Sequence, residues 1–441
     1  MNRGRRLERG LLTAAAMALL APATMAAETP AVPAVPAKVE PELAPDKAIL
    51  ARIEALGENE ALLLPKPRVV GEFNAEAKKR RMDQRAPGAR DFCVKTVWAP
   101  DRKRALYCGG SYYNPINDVW EYDLAANTWA LLYAPDPGAN DPTAKEGVFM
   151  DEDGVLQTAR GGPIHATHTW WGITYDPGRK MLLWINAKHR LHGSAKGYGF
   201  DMAKVYPGPQ LWGYSPWSRK WEHQTAKGSD LPKGDLICVT LEYIPELKGS
   251  LMGTAWLYDS EEKQWKRVAA QVPENFRFPG ERIACYDSRN KVLVFHGGEM
   301  STDGRKGGRR TGHLDIASLK AEIVIDAQED DTTVPLAHDN RTVLYYDPLS
   351  GHGLLYNFRK RNDKGNESGG DLWAYDAKTR KWTELKPHGP PPPISGFCGD
   401  PAYFDPTRNV FVVISADGPW VYRYKRASAF VRDRPSMSPD V

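Results

Sequence analysis

Ten histidines are spread along the chain, and two of them stand where proton transfer beside an anionic substrate could be organised. His168 lies in the run Gly162-Pro163-Ile164-His165-Ala166-Thr167-His168-Thr169-Trp170-Trp171, seven residues before Tyr175, and His338 lies eight residues before Tyr346. An imidazole titrates near neutrality, so each could serve as general base, metal ligand or partner of a sugar hydroxyl. Each reads equally well as a satisfied structural histidine. Arg190, Arg310, Arg341 and Arg359 fall in similar stretches and could neutralise a carboxylate, which lowers the cost of removing the proton on the adjacent carbon. His168, His338, Tyr112 or Tyr113 would take that proton and a second group would protonate the leaving oxygen. That chemistry is elimination from a uronic-acid polymer. His165 and the irregularly placed Trp170 and Trp171 are the residues expected to contact the sugar.

The elements that would position these groups come from a repeat. Trp120/Trp129, Trp212/Trp221, Trp256/Trp265 and Trp373/Trp382 are each nine residues apart, with Tyr122, Tyr214, Tyr258 and Tyr375 two places after the first Trp. Strand side chains alternate faces, so Trp and Tyr share a face and a short polar turn returns the chain to the second Trp. Upstream of these units sit Trp98-Ala99-Pro100-Asp101, Tyr175-Asp176-Pro177, Tyr286-Asp287-Ser288, Tyr346-Asp347-Pro348 and Phe404-Asp405-Pro406, each followed by an apolar run. These specify a second hairpin, so the unit is four-stranded. Six units are expected, the fourth degenerate with Leu314 and Ile323 in place of tryptophan, the sixth with Trp420 and Tyr422 but no last strand. Self-similar units of this size stack into a closed ring. The expected architecture is all-β, a six-bladed β-propeller whose closing blade is completed by an N-terminal strand, for which Pro67 to Phe73 is the candidate.

Leu106-Tyr107-Cys108-Gly109-Gly110, Asn117-Asp118-Val119-Trp120-Glu121-Tyr122-Asp123 with Trp129, and Val294-Phe295-His296-Gly297-Gly298 carry a resemblance. Across roughly residues 90 to 425 the chain resembles the kelch-repeat family and the propellers that include the central domain of galactose oxidases. The resemblance implies the fold and leaves function open, because such propellers serve as enzymes, carbohydrate binders and scaffolds. The copper-radical chemistry of that wider set needs a Tyr-His ligand pair. No Tyr-His dipeptide occurs in this chain.

In a propeller the connections into the inner strand and across the middle of each blade share one face. Here these are the long ones, about 134–167, 186–210, 297–312, 326–340 and 357–370, and they hold Arg160, Lys188, Arg190, Lys196, Arg305, Lys306, Arg309, Arg310, Arg359, Lys360 and Arg361. The net charge of +4 is modest, so nucleic acid is not an expected partner; a local basic face suits an acidic polysaccharide or other anion. Residues 1–26 read as a signal peptide, with a basic start, an apolar run from Leu11 to Ala23 and a Thr24-Met25-Ala26 cleavage site, implying a periplasmic or secreted bacterial protein. Residues 27–60 read as a Pro/Ala-rich linker and short helix, 61–430 as the propeller and 431–441 as a disordered tail; no transmembrane segment is expected after cleavage, and a monomer is expected.

Five cysteines read as buried thiols, with Cys93–Cys108 or Cys93–Cys398 as alternative bridges. Asp151-Glu152-Asp153-Gly154 reads as a hairpin turn rather than a calcium loop, zinc-ligand spacing is absent, and no cofactor is named by the sequence. Two functional readings stand: an exported propeller recognising anionic carbohydrate, with polysaccharide lyase as its enzymatic form, and a non-catalytic module binding glycan or an envelope protein.

Overall fold

Strand ends in this chain are set by aspartate. In the computed structural model, Asp176 accepts from the amides of Gly178 and Arg179, Asp287 from Arg289 and Asn290, Asp405 from Thr407 and Arg408, and Asp376 from Lys378 and Thr379. A residue with positive φ then starts the next strand, among them Lys103, Asn127, Lys180, Lys291, Arg380 and Asn409. This is the geometry of a tight turn closed by a left-handed residue. The described residues are 43–88, 90, 92–110, 116–137, 147–164, 166, 168–186, 197, 199–226, 231–233, 236, 239–268, 270–272, 283–297, 308–328, 330–337, 341–358, 360–361, 367–368, 370–394 and 399–426.

The turns generate six antiparallel sheets, each running from an inner strand outward. The blades comprise Val97–Ala99, Arg104–Cys108, Val119–Asp123 and Thr128–Tyr133; Ile173–Asp176, Met181–Asn186, Gln210–Ser215 and Lys220–His223; Leu241–Ile244, Gly249–Met252, Trp256–Asp259 and Gln264–Arg267. Blades 4 to 6 comprise Ile283–Asp287, Val292–Gly297, Arg310–Asp315 and Lys320–Asp326; Thr342–Asp347, His352–Asn357, Asp371–Asp376 and Lys381–Leu385; and Ala402–Asp405, Val410–Ser415 and Gly418–Arg423 with Glu60–Leu63. Inner strands neighbour one another in chain order and the last meets the first, which makes a six-bladed propeller.

The repeated aromatics pack within and between blades. In register, Tyr122 faces Trp129, Tyr214 faces Trp221, Tyr258 faces Trp265 and Tyr375 faces Trp382, with ring centroids 5.1, 5.1, 5.2 and 4.6 Å apart. Cross-strand aromatic pairs of this kind stabilise a sheet beyond their burial. Blade 4 departs from the expected Leu314/Ile323 assignment. Its register pairs Leu314 with Ala321 and Gly312 with Ile323, so Gly312, Leu314 and Ala321 occupy the Trp, Tyr and Trp positions and all three rings are lost. Gly312/Ala321 and Leu314/Ile323 are both nine residues apart, so spacing alone does not choose between the two frames.

An N-terminal strand does complete blade 6, but it is Glu60–Leu63, paired with the strand of Trp420 and Tyr422 so that Ala61 faces Tyr422. The expected segment around 67–73 instead forms Arg68–Gly71, a fifth strand running parallel to Thr128–Tyr133 of blade 1. The two short strands therefore strap both sides of the junction where the ring closes. Helix α1 (Lys47–Ala55), capped by the Asp46 carboxylate on the amides of Ala48 and Ile49, buries Ile49 and Ile53 into the core shared by blades 1 and 6. Helix α2 (Ala75–Lys79), capped by Asn74, follows the strap. Among the described residues no helix is long and apolar enough to cross a membrane.

Candidate functional site

The central channel is crossed by contacts that leap between blades. The Trp171 indole N–H, from the start of blade 2, donates to the Thr342 carbonyl of blade 5 at 2.9 Å. The Lys95 ammonium, ahead of blade 1, pairs with Glu242 of blade 3 and donates to the Leu241 carbonyl at 3.2 Å. The Tyr345 hydroxyl of blade 5 receives the Thr96 amide at 3.1 Å and donates to the Ala402 carbonyl of blade 6. Burial raises the Glu242 pKa although Lys95 opposes it; an ion pair this deep is kept only because each charge has its partner. These side chains form a floor across the channel.

At the mouth above that floor lies His168. Its ring meets Phe92 edge-on at 4.7 Å and Trp170 at 5.0 Å, and Phe92 and Trp170 lie nearly parallel 6.2 Å apart. Phe92 and Trp170 both have positive φ, 58° and 42°, a conformation that is costly for aromatic side chains and that concentrates at functional sites. They are joined by a 2.7 Å bond from the Trp170 amide to the Phe92 carbonyl. His168 itself is only 4% exposed. Trp171 is 3% exposed and committed to the floor, so of the two irregular tryptophans only Trp170 lies against His168.

A buried network fixes the chain that delivers His168. Asp136 Oδ2 accepts from Asn117 Nδ2 (2.9 Å), the Tyr133 hydroxyl (2.7 Å) and the Thr158 hydroxyl (2.6 Å), and Oδ1 pairs with Arg160 at 2.9 Å. Gly162 passes so close that a Cβ would lie 2.7 Å from Asn117 Nδ2 and 2.9 Å from Asp136 Oδ2. The hairpin Val148–Met150 and Leu156–Thr158 rides on this network, with Asp151 accepting from the amides of Asp153 and Val155. Its acidic run is a turn, as expected. Among the described residues no group of three or more His, Cys, Asp or Glu is arranged to hold a metal.

Beside the mouth, Arg90 is buried against Asp118 through two bonds (3.0 and 2.6 Å) and donates to the Gly109 carbonyl at 2.5 Å. Burial opposes its charge, but Asp118 more than compensates and its pKa is raised. Cys93 donates to the Gly110 carbonyl and accepts from the Thr169 amide, which ties the Gly-Gly motif to the His168 segment. Arg90, Phe92 and Lys95 were not singled out by the sequence; no repeat marks them, and the only signal is a mixed charged and aromatic stretch just ahead of the first inner strand.

The Cys93–Cys108 bridge is not formed. The register of the first hairpin, Val97 opposite Leu106, carries Cys93 to Gly110, and Cys108 is a free buried thiol with its pKa pushed up by burial, as is Cys285. The parallel bridge of Lys95 to Ala402 sets Asp400 opposite Cys93; Cys398 and Cys238 lie outside the described residues.

The remaining candidates divide in two. Arg310 is bound to Asp326 at 2.6 Å, Arg309 donates to the Val334 carbonyl, and Arg341 is also engaged within the protein. These guanidinium groups and Arg160 are already partnered. His338, Tyr112, Tyr113, His165, His189, Arg190, His192 and Arg359 lie outside the described residues. His296 and His313 are strand residues rather than loop residues. His296 Nε2 donates to the Pro335 carbonyl and its Nδ1 meets the Thr311 hydroxyl, both at 3.0 Å; since a carbonyl only accepts, the ring is the Nε2–H tautomer. Burial pushes its pKa down to about 3 and that of His313, bonded to the Tyr375 hydroxyl at 2.8 Å, to about 4. Both rings are therefore neutral at neutral pH.

No protein-family model matches the chain, and no curated protein sequence matches it significantly. Solved structures align with it at low identity. A fungal alcohol oxidase of the AA5 family in complex with copper is 10% identical with a TM-score of 0.39, covering 75% of this chain and 62% of that one. Hydrazine synthase of Kuenenia stuttgartiensis is 10% identical with a TM-score of 0.40, covering 80% and 82%. The GH74 xyloglucanase of Xanthomonas campestris is 12% identical with a TM-score of 0.41, covering 78% and 53%. The chain thus spans less than two thirds of the oxidase and about half of the xyloglucanase, and similarity at this level assigns no activity.

Proposed function

We propose that this chain is an exported kelch-like propeller that recognises an anionic carbohydrate on the face bearing its long connections, with uronate elimination as its catalytic form. The observation that carries this reading is the His168 cluster: an imidazole gripped by two aromatic residues in strained backbone, beside side chains that cross the channel, at the end of an insertion fixed by its own buried network. Strain of this kind is retained where the surroundings over-determine it, and it concentrates at functional sites. With Arg160, Arg309, Arg310 and Arg341 held by protein partners, attraction for an anion rests on the other basic residues of this face, Arg190 and Arg359 among them. In the elimination, a guanidinium neutralises the uronate carboxylate, His168 or His338 removes the neighbouring proton, and Tyr113 protonates the leaving oxygen, with His165 and Trp170 against the sugar.

One observation favours a second reading, a non-catalytic binding module. His168 is 4% exposed, which suits a residue that shapes a surface better than one that meets substrate. Incubation of the purified protein with a panel of uronic-acid polymers, following absorbance of the unsaturated product, separates the two. The lyase reading predicts product with at least one polymer and its loss in His168→Ala. Binding without product from any polymer would leave the module, and neither binding nor product would sink the lyase and the glycan-binding form of the module together.

A further inference from the structure

The ring-closing junction contains a cavity of about 660 Å³. It arises because the strap crosses from blade 6 to blade 1 between its two short strands, held by the Leu64 amide on the Pro419 carbonyl at 2.9 Å and by Asn127 of blade 1 on the Pro65 carbonyl at 2.8 Å. Val69 from the strap, Trp129 from blade 1, and Pro401 and Ile414 from blade 6 give it an apolar lining. Lys66 and Arg85 also line it; both are exposed, and no ion pair among the described residues involves either. The acid in the lining, Asp400, is 6% exposed and already engaged within the protein.

We propose that this junction cavity is a binding site, distinct from the channel mouth, for one small amphipathic anion, an apolar carboxylate. The volume matches that of small-molecule sites, which are mostly apolar with a few polar groups that fix orientation. Two unpaired cations at the rim of an apolar hollow fit a ligand whose body is buried and whose charge stays at the mouth. Because such a ligand would touch the strap and both blades that it joins, occupancy stabilises the closed ring by mass action.

The test uses the full chain with anilinonaphthalene sulfonate as fluorescent probe and dodecanoate as competitor. The expected result is one saturable site from which dodecanoate displaces the probe and dodecanol does not, with a dodecanoate-dependent rise in Tm. Ala86→Trp, which places a ring in the cavity from its half-buried lining loop, is expected to abolish binding. Lys66→Glu/Arg85→Glu is expected to weaken it about tenfold. Unchanged circular dichroism in both variants establishes that the loss is local. Absence of saturable binding to the unaltered protein, or equal affinity in Ala86→Trp, overturns the site; equal affinity in the charge-reversed variant, or equal displacement by dodecanol, overturns its assignment to an anion. A uronic-acid polymer is expected not to compete, so this site stands or falls separately from the channel mouth.

Discussion

The outer hairpins and the central channel hold one ring together by opposite means. Outside, the same Tyr–Trp pair recurs at the same register in blades 1, 2, 3 and 5, and blade 4 does without it. Inside, each contact occurs once: Lys95 to Glu242, Trp171 to Thr342, Tyr345 to Thr96 and Ala402. Blade 4 is still packed by its neighbour: Trp382 of blade 5 donates to Thr311 at 2.9 Å and packs 4.7 Å from His296. The channel has no such redundancy, and its irregularity is what shapes the mouth around His168.

The largest effect that can break this contrast is on the outside. Trp129, 1% exposed, packs on Tyr122, Tyr107 and Trp120, and Trp129→Ala is expected to cost about 4 kcal/mol in denaturant unfolding. The matching change in blade 4, Ala321→Gly, is expected to cost about 1 kcal/mol. Equal losses would show that the aromatic pairs are not what holds a blade.

Next comes the channel. Lys95→Met leaves Glu242 buried without its cation and is expected to cost about 3 kcal/mol, whereas Lys95→Met/Glu242→Gln is expected to recover most of that loss. If the double variant is as unstable as the single, the pair contributes by packing rather than by charge.

The smallest effect concerns His296, on the second strand of blade 4 and packed against Trp382. Its folded pKa of about 3 lies below the ordinary 6.5, so the unfolded chain takes up the proton first. Its contribution is therefore fully present above pH 6.5 and drains away as the pH falls toward 3. Between pH 7 and 5 this one residue is expected to account for about 2 kcal/mol of lost stability, measured as the difference in acid sensitivity between the unaltered protein and His296→Gln. Parallel pH profiles for the two would contradict the burial of a neutral ring.

Legibility in the sequence followed the same division. The tight turns could be read because aspartate, often beside proline, recurs between apolar runs, and the blade count because Trp and Tyr alternate with strand period. The closing strand could not: Val69 and Val70 look more strand-like than Glu60-Ala61-Leu62-Leu63, yet pairing with the open edge of blade 6 overrides that preference. In blade 4 the spacing of nine fits both Gly312/Ala321 and Leu314/Ile323, which hid the residues that had replaced the rings. His168 and Trp170 were legible as irregular insertions, but their clamp on Phe92 was not, because it depends on a backbone conformation that no residue type announces. Lys95 and Glu242 lie in different blades with no period linking them.

The central claim is that function belongs to the irregular channel mouth and not to the repeated hairpins. Hydrogen exchange with and without a uronic-acid polymer that the protein binds tests it most directly. The account predicts slowed exchange in peptides covering 90–96 and 160–172, with little change in the tight turns at 100–103, 176–180 and 376–380 on the opposite face. Protection confined to those turns, with none around His168, would contradict it.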